Sequence, residues 1–133
     1  MRAVDTNILA RYYLQDDPEQ SRIATAIVQQ GALFVPKTVA LELAWVLRSV
    51  ADQPAGKVTA CLAHLAGLPG VTIENREQIE AAIRHCAMGL EFADALHLAA
   101  CEQCSEFLTF DDRRYVRRAA RRGLKPRVRV PTE

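Results

Sequence analysis

The chain has 133 residues, half of them hydrophobic, a composition suited to a single domain over residues 1–133 with a proper core. No apolar run approaches the roughly 20 residues of a membrane span, and no charged-then-apolar leader opens the chain, so a soluble, cytoplasmic protein is expected. The formal net charge of +1 averages two unlike parts: residues 1–112 hold 8 Lys/Arg and 15 Asp/Glu, whereas residues 113–133 hold 9 Lys/Arg and one acid, Glu133. An acidic body with a basic edge is the pattern of a protein that meets a polyanion or an acidic partner.

Met1 to Val4 reads as a short buried strand ending at Asp5, after which Ile8, Leu9 and Tyr12 recur at helical spacing. Asp17-Pro18-Glu19-Gln20 supplies an N-cap, a first-turn proline and a Gln three residues on, opening a helix that runs to Gly31. Leu33 to Val35 is a second strand. Thr38 is the expected cap of a third helix carrying Val39, Leu43, Val46, Leu47 and Val50, with Glu42 inside its apolar stripe and pointing inward. Pro54 opens a helix that Gly67 stops, and Val71 to Ile73 is a third strand. Asn75 to Gln78 repeats the capping arrangement for a helix through Ile79, Ile83 and Cys86, closed at Gly89. Glu91 to Cys104 reads as one apolar helix with Asp94 in its first turn, where the helix dipole favours negative charge. Phe107 to Phe110 is a fourth strand ending at Asp111-Asp112, followed by a basic helix, a stop at Gly123 and a last strand near Val128 to Val130. Strands alternating with helices imply an α/β fold with a mostly parallel central sheet covered on both faces.

Four acids stand out against this frame. Asp5, Glu42, Asp94 and Asp111 each sit inside or at the end of an apolar segment, where an unpaired charge is costly and a shared cation would compensate it. In parallel sheets ligands gather at the carboxyl ends of strands, where Asp5 and Asp111 fall, and Glu42 and Asp94 lie near helix starts that face the same crevice. Carboxylates brought together repel, and a hard divalent ion resolves the conflict. An oxygen-only donor set favours Mg2+, or Mn2+, over zinc, and Mg2+ completes its shell with water and phosphate, which points to a phosphodiester substrate hydrolysed by a metal-activated water.

The stretches Val4 to Asn7 (V-D-T-N), Thr38 to Glu42 (T-x-x-x-E), Phe92 to Ala100 (F-A-D-A-L-H-L-A-A) and Leu108 to Asp111 (L-T-F-D) together resemble the PIN-domain ribonucleases, and within them the VapC-type toxins of bacterial toxin-antitoxin pairs. The resemblance covers nearly the whole chain. It implies a three-layer α/β/α fold, metal-dependent RNA cleavage, a homodimer and inhibition by a small VapB-like antitoxin. It also implies Asp5 and Asp94 as central metal ligands, Glu42 and Asp111 completing the acidic cluster, and Thr6, Asn7 and Thr109 as supporting polar groups. Two departures matter: Glu91 stands where relatives often have Asp, and Asp112 duplicates the fourth acid. Asp111 is preferred because it follows the strand directly.

Plainer roles exist for each feature. Asp5-Thr6 suits a simple helix cap, Asp111-Asp112 the cap of the next helix, and Glu42 a salt bridge to Arg48. Arg113, Arg114, Arg117, Arg118, Arg121 and Arg122 make a basic face, opposite Tyr115, Val116, Ala119 and Ala120, that suits RNA phosphates, an acidic inhibitor segment or mere solvation. His97 is expected as a hydrogen-bonded core residue, the four cysteines as reduced core thiols, and Trp45, Tyr12 and Tyr13 as packing or dimer contacts. Two other functions compete: a phosphoryl-accepting receiver-like domain, against which the acid pair comes too late and Lys125 precedes the last strand, and a catalytically silent RNA- or protein-binding relative.

Overall fold

The computed structural model describes residues 1–132. Strand β1 (Arg2–Ala3), helices α1 (Thr6–Leu14) and α2 (Pro18–Gln30), strand β2 (Leu33–Val35), helices α3 (Lys37–Trp45) and α4 (Ala55–Gly67), strand β3 (Val71–Ile73), helices α5 (Arg76–Cys86) and α6 (Phe92–Ala100), strand β4 (Glu106–Leu108), helix α7 (Arg117–Arg121) and strand β5 (Arg127–Arg129) follow in that order. Wide π-helical turns at Val46–Val50 and Asp112–Val116 extend α3 and precede α7. The first three strands pair in parallel in the order β1-β2-β3, and β4 pairs in parallel with β5. This is the mixed α/β architecture with parallel strands expected of a three-layer α/β/α fold. No helix among the described residues is long and apolar enough to cross a membrane.

β2 lies at the centre of its sheet, and Leu33 and Val35 on it are fully buried, as is Leu43 on α3 and Leu98 on α6. These side chains belong to one contiguous core that also takes in Leu9, Leu47, Leu62, Leu65 and Ile79. β1 differs from expectation: it forms the edge of the sheet, and Arg2 and Ala3 are exposed while Val4 alone is buried. An edge strand has one neighbour to cover it instead of two.

Local chemistry explains most of the helix ends. The Asp17 carboxylate accepts the Gln20 amide at 3.0 Å with Pro18 in the first turn, as the sequence predicts. Two other caps differ. α3 begins after Pro36, and its first amide, on Lys37, donates to the Glu74 carboxylate at 2.8 Å, so the cap comes from the end of β3 and Thr38 lies inside the helix. Asn75 occupies the cap position of α5 in a left-handed conformation (φ 50°) but makes no side-chain cap bond. The Arg76 guanidinium then reaches back, donating to the carbonyls of Ala66 and of Val71 (2.9 Å), which closes the end of α4. Gly70 is constrained by space: a Cβ there would stand 2.8 Å from the Gly31 Cα where the two turns beneath β2 and β3 touch.

Helix α6 ends at Ala100, several residues short of the apolar helix expected through Cys104. Cys101 and Cys104 sit in the turn that follows, Cys104 exposed, while Cys61 and Cys86 are half-buried against the core. Expectations of four core thiols therefore hold only for the last two. Glu102 and Gln103 interrupt the apolar pattern just where the helix stops.

Leu43→Ala should cost about 2–5 kcal/mol of stability because Leu43 is fully buried. Val50→Ala, at a position 65% exposed, should change stability by less than about 0.5 kcal/mol. Denaturant unfolding of the two variants checks this, and equal losses would contradict the core assignment.

Candidate functional site

The β1 ladder runs one residue past the strand, Val4 N donating to Phe34 O at 3.2 Å, and the β4 ladder does the same through Thr109 N and Arg129 O at 3.1 Å. Asp5 and Asp111 therefore emerge just beyond hydrogen-bonded strand ends. Asp5 is the N-cap of α1, its carboxylate accepting the Thr6 amide at 2.7 Å. The buried Thr6 hydroxyl donates to the Glu42 carboxylate, which ties the start of α1 to the middle of α3. Asp111 accepts the Arg114 amide at 2.9 Å and its own amide donates to the Thr109 hydroxyl at 3.1 Å, so it caps the π-helical turn leading into α7. Asn7 is exposed on the first turn of α1.

Asp94 sits half-buried in the first turn of α6. Its carboxyl is held above the ordinary carboxylate range, first by burial and next by the charge of Asp111; Glu91 adds to the rise, while His97 and Arg118 oppose it. Asp112, by contrast, turns to Arg117 at 3.1 Å. Of the two neighbouring acids, Asp111 is the one whose charge Asp94 feels. The Tyr115 hydroxyl donates to the Asp94 carbonyl at 2.7 Å, and an Arg118 N–H donates to the Gly89 carbonyl at 2.7 Å, so the basic segment clamps both sides of the α6 start.

The expectation of deeply buried acids is corrected by these positions. Asp5, Glu42 and Asp111 are solvent-exposed, and only Asp94 is half-buried. Asp5 caps α1 just after buried Val4, and Glu42 turns outward in mid-α3 beside buried Leu43, whereas the apolar neighbours of Asp111 are themselves exposed, Leu108 at 52% and Phe110 at 84%. Glu42 does not pair with Arg48, whose guanidinium is directed to the Gln53 carbonyl at 3.4 Å. Among the described residues no three His, Cys, Asp or Glu side chains form a closed metal-binding group. The acids form local pairs instead: Asp94 with Asp111 through charge, Glu42 with Thr6 through a hydrogen bond, and Thr6 with Asp5 along the chain.

The basic face is also rearranged. The π-helical turn carries more residues per turn than an α-helix, so three- and four-residue spacing across it does not make one stripe. Arg117 pairs with Asp112 and Arg118 turns inward, whereas Arg113, Arg114, Arg121 and Arg122 are exposed, and Ala120 is exposed with them. His97 is exposed beside Asp94 instead of lying in the core. Glu91, which stands where relatives often have Asp, enters the site as a further negative charge felt by Asp94. Trp45 is 61% exposed. It lines a groove of about 740 Å³ with Leu41, Glu42, Arg48, Leu90, Glu91 and Phe92. On the same groove, burial and then the charge of Glu91 push the Cys86 thiol up to about 11, which disfavours its thiolate form.

A comparison with protein families matches the PIN domain over residues 2–121, and the chain belongs to that family. No curated protein matches it significantly. PIN domains are in general metal-dependent nucleases acting on RNA or other nucleic acid. The oxygen-only donors and the negative potential at Asp94 suit the divalent ion such enzymes use.

Asp94 in the fold has a raised pKa, so the native state takes up its proton before the unfolded chain does. Its ionised form is a stability cost that is fully present above the raised value, shrinks as pH falls through it, and vanishes below the unfolded value. Asp94→Asn in chelator-containing buffer should therefore raise Tm at neutral pH, with the gain shrinking as pH is lowered towards the ordinary carboxylate range. Calorimetry at several pH values checks this, and a gain that grows on acidification would contradict it.

Proposed function

We propose that this protein is a Mg2+- or Mn2+-dependent endoribonuclease, and that it serves as the toxin of a type II toxin-antitoxin pair. The observation that carries the reading is the half-buried Asp94 carboxyl in the first turn of α6, pushed up first by burial and next by the charge of Asp111, beside an arginine-rich segment. Asp5, Asp94, Glu42 and Asp111 would hold the ion, and when bound it supplies an activated water and neutralises charge on the scissile phosphate.

The protein's own groups prepare the rest. Thr6 orients Glu42, and the α1 amides hold Asp5 at the strand end. Thr109 and the Arg114 amide hold Asp111, and Tyr115 fixes the backbone of Asp94. The Arg118 guanidinium offsets part of the repulsion felt at Asp94. Exposed Arg113, Arg114 and Arg121 are suited to RNA phosphates by charge and by their position directly after Asp111. The same arginines suit an acidic segment of a VapB-like antitoxin, and a homodimer would bring two such basic edges to one substrate. A receiver-like role has no matching support: its acid pair would have to follow the first strand, where only Asp5 stands.

Purified protein should cleave RNA with Mg2+ or Mn2+ and lose that activity with chelator. Asp94→Asn should slow cleavage on the order of a thousandfold, equivalent to several kcal/mol of transition-state stabilisation. Undiminished cleavage by a rigorously clean Asp94→Asn preparation would refute the assigned role. Induction of the chain alone should arrest growth, and co-expression of an upstream small partner should relieve it.

A further inference from the structure

Apart from Glu42 and Glu91, the residues that line the groove beside the candidate site have no part in the chemistry above. The groove lies between the C-terminal end of α3, the start of α4 and the junction of α5 with α6, and its volume of about 740 Å³ falls within the roughly 300–1,000 Å³ of small-ligand sites. Glu42, Trp45 and Arg48 follow one another at three-residue steps and all three line it. The Trp45 side chain stands open at 61% exposure, with Leu41, Leu90 and Phe92 as the groove's other apolar surfaces. Arg48 pairs with no carboxylate among the described residues; its one contact is the long bond to the Gln53 carbonyl. Glu42 joins the groove to the candidate active site, since it also accepts the Thr6 hydroxyl.

We propose that this groove seats one unstacked nucleobase of a single-stranded RNA against the Trp45 indole, with the Arg48 guanidinium at an adjoining phosphate. The inference rests on the nuclease reading. A flat aromatic face gives sequence-tolerant stacking to any base. The cation three residues further along matches the anion that accompanies each base. Duplex RNA cannot present a splayed base, so the groove selects single strands or loops.

Trp45 is the only tryptophan in the chain, so intrinsic emission reads the groove directly. The full chain in its Asp94→Asn form, with Mg2+, should show emission quenched by a single-stranded oligoribonucleotide at the same midpoint as the oligonucleotide's fluorescence anisotropy. A duplex of the same sequence should leave the emission unchanged. In the otherwise wild-type protein, Trp45→Ala should raise KM for single-stranded RNA roughly tenfold, with the effect falling on KM instead of kcat, and Trp45→Phe should restore most of it. Oligonucleotide binding without quenching, no binding at all, or an unchanged KM in Trp45→Ala would overturn the proposal. Emission that shifts with protein concentration alone would overturn it too, by assigning the groove to a second copy of the chain. Absence of RNA cleavage by the wild-type protein would instead defeat the nuclease reading, whereas intact cleavage without quenching defeats the base seat alone.

Discussion

Two carboxylates that repel each other define this molecule. Asp94 and Asp111 come from segments joined only through β4, yet after burial the charge of the second is what most raises the proton affinity of the first. That repulsion must be held by something, and the holding is done by the segment after Asp111. Tyr115 is bonded to the Asp94 backbone and Arg118 to the Gly89 backbone, so the basic segment supplies both the mechanical clamp and part of the compensating charge. A fold that strains its own electrostatics in this way has reason to recruit a cation.

Parallel pairing orders the exits within each sheet. The residues that follow β1, β2 and β3 leave their sheet on one side, and those that follow β4 and β5 leave theirs on one side. Helices then cap those exits. α1 starts on Asp5, the π-helical turn starts on Asp111, and α3 delivers Glu42 to Thr6 across a single hydrogen bond. Stability and chemistry share these residues: the carboxylates that cap helices are the ones proposed to bind metal, and the short bonds that hold them also limit how far they can relax apart.

The order of strands and helices was legible because apolar periodicity and a few strong caps, Asp17-Pro18 above all, report on local energetics. What the sequence could not convey was which neighbour completes a local pattern. The cap of α3 comes from Glu74, nearly forty residues away, and no local window contains it. Glu42 looked buried because its chain neighbours are apolar, but a side chain at a helix position facing an element boundary escapes that average. The basic face looked continuous because an α-helical wheel was assumed where the chain makes a wider turn. His97 lies outside the core for a related reason, since an apolar context does not fix which side of a helix has a partner. The four acids stand out in the sequence one by one through their apolar contexts, while the links from Asp94 to Asp111 and from Glu42 through Thr6 to Asp5 are visible only in three dimensions.

Membership of the PIN family explains the fold and the nuclease class; the proposed ligand set needs direct observation of the ion. Crystals grown or soaked with Mn2+ and measured near its absorption edge give that observation. The account expects an anomalous peak about 2.1 Å from an Asp94 carboxylate oxygen and within bonding reach of at least one of Asp5, Glu42 and Asp111. A protein whose Mn2+ sites all lie away from Asp94, or which takes up none at millimolar concentration, would contradict it.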